Sequence, residues 1–289
     1  MLRGGEIFKE LHVAAGRMRM KRLASSIGVL LFLGMAAVYG AGSKNASKVI
    51  KFGATAGPYS DMVTKAIKPG LEKLGYTVQV IEFSDYIQPN RALNNDDIQA
   101  NLFQHTVYLQ NFAKENKMDL TALIMVPTAP MGIYSQKYKS LDDIPSGASL
   151  SVPNDPTNES RAFNILQARG LIKIRPDANP LKISEKDVIE NKKNIVFKPL
   201  EAGQLPRSVE SVDLAAVPGN FALAAKMNLL DALALEEMPD QYRNIIAVKT
   251  TNQNSQLAKD ITAVVQSPEF EQVIDSEFKG FGKPAWMKK

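Results

Sequence analysis

Lys48-Val49-Ile50-Lys51-Phe52-Gly53-Ala54, then Ser60 to Leu74, then Thr77-Val78-Gln79-Val80-Ile81-Glu82-Phe83 is the stretch that decides the fold. Residues 48–54 are an apolar run bounded by small polar residues, which reads as a buried strand. Thr55-Ala56-Gly57-Pro58 is a loop, with Pro58 near a helix start. From Ser60 to Leu74 the apolar residues fall at 63, 66, 67, 71 and 74, the spacing of one helix face, and Gly75 ends it. Thr77–Phe83 is a second strand. Strand, helix and strand at this length predict a parallel βαβ unit with a right-handed crossover. The loop Ser84-Asp85-Tyr86-Ile87-Gln88-Pro89-Asn90 leaves that second strand at its carboxyl end. Open α/β sheets bind ligands outside those ends, which makes Tyr86 a candidate binding residue.

The next signal is Asn101-Leu102-Phe103-Gln104-His105-Thr106-Val107-Tyr108. Phe103, His105 and Tyr108 stand at i, i+2 and i+5, so no single strand or helix face collects all three. A strand end that turns into a helix can aim them at one pocket mouth. The plainer alternative is a core Phe, a satisfied His and a surface Tyr. Leu120–Val126 is an apolar strand, and Pro127 and Pro130 separate it from Ile133-Tyr134-Ser135, as a crossing between lobes would require.

Ala148–Val152 is a strand, followed by Asn154-Asp155-Pro156-Thr157 opening a helix that Asp155 or Thr157 can cap. Arg161 is expected in its first turn, where the helix dipole disfavours a cation. A ligand carboxylate held by free N–H groups and the guanidinium would offset that charge; solvent or Glu159 would serve equally well. Asn194–Leu200 and Leu214–Val217 are further strands. The latter breaks at Pro218-Gly219-Asn220, and Asn220 can offer a donor and an acceptor or be a simple turn residue. Asn244–Val248 is a strand, and two helices over 254–266 and 268–279 close the chain.

The architecture expected is α/β, periplasmic binding protein-like: two α/β lobes with a ligand cleft between them. Lobe 1 takes residues 48–128 plus 247–289, and lobe 2 takes 129–246. No G-x-S-x-G, G-x-x-x-x-G-K-[ST] or G-x-G-x-x-G occurs.

The chain has 289 residues and a net charge of +5, but residues 1–40 hold six Lys/Arg against Glu6 and Glu10, so +4 of it belongs there. No basic stripe interleaved with aromatics follows, which argues against nucleic acid as a partner. Arg17-Met18-Arg19-Met20-Lys21-Arg22, the apolar run Ile27–Val38 and the small residues around Gly40-Ala41 form a secretory signal pattern over 1–40. Translation from Met18 or Met20 would make residues 1–17 an over-long start. Residues 41–47 are a flexible linker. An uncleaved membrane anchor is the alternative. There is no cysteine, which excludes a thiol nucleophile and Cys-ligated metal. Two histidines, one of them His12, leave no zinc site built on several His. No cofactor is expected.

From about residue 48 to the C-terminus the chain resembles the methionine-binding NlpA/MetQ lipoprotein family of ABC importers. The resemblance rests on Phe83-Ser84-Asp85-Tyr86 with Pro89-Asn90, Phe103-Gln104-His105 with Tyr108-Leu109, and Tyr134-Ser135 with Lys139-Ser140-Leu141-Asp142. It continues in Val152-Pro153-Asn154-Asp155-Pro156-Thr157-Asn158 with Arg161, Gln204-Leu205-Pro206-Arg207, and Tyr242-Arg243-Asn244-Ile245-Ile246. It implies that Tyr86, Phe103, His105 and Tyr108 line the side-chain pocket, where aromatic faces favour a thioether. It also implies that Arg161 grips an α-carboxylate and that Asn244 hydrogen-bonds the amino acid backbone. Asn220 joins this set as the candidate nearest Pro218, where some family members carry an asparagine that Pro218 cannot replace as a donor.

The family's lipid-bearing Cys is missing, with Gly40-Ala41 in its place, so a soluble or signal-anchored exported form is expected, periplasmic or associated with the cell envelope. The implied partners are L-methionine or a related small amino acid, an ABC permease and its ATPase subunit; a monomer is expected. The function expected is therefore delivery of methionine to a permease, without bond chemistry. The rivals are a binder of another amino acid or of a methionine-containing dipeptide, an exported hydrolase using His105 as base, and a surface adhesin with a vestigial pocket.

Overall fold

The computed structural model describes residues 48–288. The expected leader (1–40) and linker (41–47) lie outside the described residues. The chain opens with β1 (Lys48–Thr55), α1 (Pro58–Met62), a π-helical turn (Val63–Ile67) and α2 (Lys68–Lys73). Those three helical pieces are continuous and occupy the span read as one helix. The first begins two residues early because Pro58 takes its first position, where a missing N–H costs nothing. Gly75, at φ 87, turns the chain into β2 (Tyr76–Phe83). Then come α3 (Gln88–Asn94), β3 (Ala100–His105), α4 (Thr106–Asn116) and β4 (Leu120–Met125).

The chain crosses to a second sheet through β5 (Gly132–Tyr134), β6 (Ser149–Pro153), α5 (Pro156–Ala168), β7 (Ile172–Ile174), β8 (Val188–Asn191) and β9 (Val196–Leu200). There follow α6 (Leu205–Ser208), β10 (Leu214–Val217), α7 (Gly219–Ala224) and β11 (Ala234–Leu235). It returns as β12 (Asn244–Lys249) and finishes in α8 (Gln256–Val265) and α9 (Pro268–Glu277). Ser255 and Ser267 cap these last two helices by accepting from Ala258 N and Phe270 N.

The first sheet has the order β2-β1-β3-β12-β4, with β1 parallel to both neighbours and β12 antiparallel to β3 and β4. The second has the order β11-β5-β10-β6-β9, in which β6 runs parallel to β9 and β10. The small antiparallel pair β7–β8 has no counterpart in the sequence reading, since a three-residue strand shows no usable periodicity.

One expected boundary needs correction. A second lobe ending at residue 246 would cut β12, yet Asn244 and Ile245 already pair with His105 and Gln104 in the first sheet. The return crossing therefore precedes Asn244. The apolar run marks the strand, but only its partners 140 or so residues away, which set its register, decide which sheet it joins.

Each sheet buries its own core. In the first, Phe52, Met62, Leu102, Ile246, Ile261 and Phe270 pack between sheet and helices. In the second, Met131, Ile133, Leu150, Phe163 and Leu214 do the same. A third cluster joins the lobes: Tyr86, Phe103 and Tyr108 from the first meet Leu205, Val217 and Phe221 from the second. The carboxyl ends of β2, β3, β6 and β10 all open toward this junction, because parallel strands put their outgoing loops at one edge. Among the described residues no helix is long and apolar enough to cross a membrane.

Phe163 is fully buried and its ring centroid lies 4.7 Å from that of Phe197. Truncation leaves a cavity, and Phe163→Ala is expected to lower unfolding free energy by about 3–5 kcal/mol, read from denaturant midpoints at unchanged slope.

Candidate functional site

Tyr86 is placed by a local turn. The Asp85 carboxylate accepts from Ile87 N (2.6 Å) and Gln88 N (2.7 Å), which ties the loop after β2 to the start of α3. Asn90 then exchanges two side-chain hydrogen bonds with Gln104, each 2.7 Å, pinning α3 to β3. The Tyr86 ring is thereby held beside Phe103 and Tyr108, with centroids 5.8 Å apart in both cases. Tyr108 donates to the Tyr86 carbonyl at 2.9 Å.

The i, i+2, i+5 triplet is resolved by the junction of β3 and α4. Phe103 and His105 share a strand face, and Tyr108 sits in the first turn of the helix. His105 itself is the helix cap: its Nδ1 accepts from Tyr108 N at 3.0 Å. That fixes the tautomer, so Nε2 carries the proton and donates to Asn158 Oδ1 at 3.1 Å. Both ring nitrogens are spent. Burial first, then the nearby Arg161 charge, push the imidazole pKa down to about 3.

Asn158 and Arg161 come from α5. Asp155 caps this helix, accepting from Asn158 N at 2.9 Å, and its other oxygen accepts from Asn158 Nδ2 at 2.9 Å. Asn158 Oδ1 is thus aimed at His105 and also accepts from Arg161 Nη1 at 2.9 Å. Arg161 lies in the second turn of α5, not the first, since Pro156 is the first helical residue. Its charge is offset neither by solvent nor by Glu159. Glu236 takes Nε at 2.8 Å and Nη2 at 2.5 Å, with both side chains only 6% exposed. Glu236 is anchored in turn by Met131 N at 3.1 Å. Burial opposes the guanidinium charge, but the Glu236 charge and hydrogen bonds more than restore it, raising the Arg161 pKa above its ordinary value. Glu159, half-buried near Asp155, Glu185 and Asp187, is pushed up to about 7.

A guanidinium has five N–H groups. Three are used within the protein, which leaves one on each Nη of Arg161. Asn220 Nδ2 is a further buried donor without a partner, while Asn220 Oδ1 accepts from Tyr86 OH at 2.6 Å. Asn244 is opposite His105 in the β3–β12 ladder; its Nδ2 donates to Phe103 O at 2.9 Å, so its Oδ1 is available to a donor. Pro218 caps α7 and brings Asn220 into the first turn. Gly219 is required here, because a side chain would collide with the Pro130 carbonyl on the segment crossing between the lobes.

Tyr86, Phe103, His105, Tyr108, Arg161, Asn220 and Asn244 all line one cleft between the lobes. The lobes meet closely here, and the cavity left between these side chains is about 10 Å³. Phe221 closes over Tyr86 with ring centroids 4.9 Å apart. Tyr59, Thr128 and Asn158 also line it and were not singled out from sequence. Tyr59 follows the carboxyl end of β1, and Asn158 precedes Arg161 by one helical turn; both signals were present. Glu236 carried none. The polar ends thus offer three spare donors and an acceptor, and the aromatic walls offer an apolar slot: a small zwitterion with an apolar tail matches both.

The NlpA lipoprotein family profile matches residues 50–286. A D-methionine-binding lipoprotein MetQ of Escherichia coli (strain K12) is 35% identical over 240 residues, covering 82% of this chain and 88% of the relative. A nutrient binding protein from Burkholderia cenocepacia, solved bound to methionine, is 41% identical with a TM-score of 0.76, covering 80% of this chain and 97% of its own. The crystal structure of the methionine binding protein MetQ is 34% identical with a TM-score of 0.77, covering 81% and 97%.

A His105 cation would lose its role as acceptor for Tyr108 N and would face Arg161, with Asn158, Tyr108 and Tyr242 as its other neighbours. Its native pKa lies below the ordinary 6.5, so its contribution to stability is complete above 6.5 and is lost as pH falls toward about 3. Thermal midpoints are expected to fall across that window, and to fall less steeply in His105→Gln than in the wild type.

Proposed function

The chain belongs to the NlpA lipoprotein family, and from that premise we propose that it is the substrate-binding protein of an ABC importer for methionine. The observation that carries the reading is the pairing, across one cleft, of two free Arg161 N–H groups with a wall of Tyr86, Phe103 and Tyr108. Arg161 and Asn220 receive the carboxylate, Asn244 the ammonium, and the aromatic faces the thioether, each sulfur–aromatic contact contributing about 0.3–1.5 kcal/mol. L-methionine is the ligand proposed. The protein works by closure: ligand bound between lobes favours the state in which they meet, and a permease with its ATPase subunit receives the cargo.

The spent nitrogens of His105 support a binding role over hydrolysis, since a general base needs a free lone pair facing its substrate. Membership of a family named for lipoproteins, with a MetQ lipoprotein among the relatives, supports export to the periplasm or cell envelope.

Mass spectrometry of ligand released from the purified protein is expected to find methionine, and calorimetry with both enantiomers identifies the one preferred. Arg161→Ala is expected to abolish measurable binding, by removing the carboxylate's donors and leaving Glu236 buried and unpaired. Phe103→Ala is expected to weaken binding severely, by calorimetry at a temperature where circular dichroism shows the variant folded. Unchanged affinity in Arg161→Ala would overturn the proposal.

A further inference from the structure

Among the described residues lining the cleft, Arg161 alone carries a full charge; His105 is neutral, and burial raises the pKa of each tyrosine, keeping it protonated. That charge is already matched. Glu236 holds the Nε and Nη2 edge of the guanidinium from behind, and each side chain of the pair is only 6% exposed. Glu236 is fixed on both sides of its own backbone: Met131 N donates to its carboxylate, and its N donates to Met131 O at 2.9 Å. Tyr242 lies 5.7 Å from the guanidinium and blocks another face. The pair is rigid, buried and neutral before any ligand arrives.

We infer that Glu236 is a positioning residue that sets the charge class of the ligand, so that the cleft takes a zwitterionic α-amino acid and rejects the same carboxylic acid without its ammonium. The inference rests on reading the cleft as an amino-acid site. A carboxylate on the two free Arg161 N–H groups shares one cation with Glu236, and the buried cluster then carries one net negative charge. An ammonium on the same ligand cancels it and can donate to Asn244 Oδ1, the carbonyl of an amide whose Nδ2 is held by Phe103 O. A ligand lacking the ammonium leaves both the charge and that acceptor unmatched. With Glu236 neutral, Arg161 would keep its charge for any carboxylate of the right shape.

The test is calorimetry of methionine and of the methylthio-butyrate that lacks only the ammonium, on wild-type protein and on Glu236→Gln. The wild type is expected to prefer methionine strongly. In Glu236→Gln that preference is expected to shrink by about tenfold or more, mainly through tighter binding of the des-amino acid. A role confined to holding Arg161 in place would weaken both ligands alike and leave the ratio unchanged, which overturns the inference. Glu236→Asp keeps the charge and is expected to keep the ratio even where both affinities drop; a collapsed ratio there overturns the charge account by itself, whether or not Glu236→Gln folds. Wild-type protein that binds no amino acid overturns the functional reading as well, whereas methionine binding with an unchanged ratio in Glu236→Gln overturns this inference alone.

Discussion

Asn158 Oδ1 receives two hydrogen bonds, one from His105 in the first lobe and one from Arg161 in its own. Most of the cleft's geometry depends on that shared oxygen. Asp155 fixes Asn158 by capping α5, and Asn158 fixes the guanidinium on one side while Glu236 fixes it on the other. The same oxygen requires His105 to present a proton on Nε2, which leaves Nδ1 free to cap α4. One buried amide thus couples the register of two helices in different lobes. Breaking a buried ion pair by removing one partner costs about 3–5 kcal/mol, so the Arg161–Glu236 arrangement is held firmly once formed.

The lobes meet through specific polar contacts set in a shared apolar cluster. Tyr86 OH to Asn220 and His105 to Asn158 are cross-lobe hydrogen bonds, and each such bond contributes about 0.5–1.5 kcal/mol net. The ring contacts among Tyr86, Phe103, Tyr108 and Phe221 add about 0.5–1.5 kcal/mol per pair. Each of these contacts is small by itself, so the junction is held by their sum.

Much of the site was legible because it follows local rules. The βαβ unit sends Tyr86 out at a strand's carboxyl end, and the strand-to-helix switch at His105 gathers three side chains that no single element could. Asp155-Pro156 announces a helix start. Arg161 was legible as a residue needing an anion, yet its true partner was not: Glu159 is close in sequence, while Glu236 is 75 residues away on the crossing before β12. No periodicity or cap marks Glu236.

What the sequence alone determined is the main strands and helices and the end of each strand at which the cleft-lining residues emerge, since periodicity, caps and turns act between near neighbours. What only the tertiary structure decided is pairing at a distance. β12 inserts antiparallel between β3 and β4 and so places Asn244 beside His105. Glu236 closes on Arg161, and Asn220 reaches Tyr86 across the cleft. Such pairings are fixed by burial and hydrogen-bond satisfaction in the assembled fold, where a buried charge or amide must find a partner wherever the chain brings one.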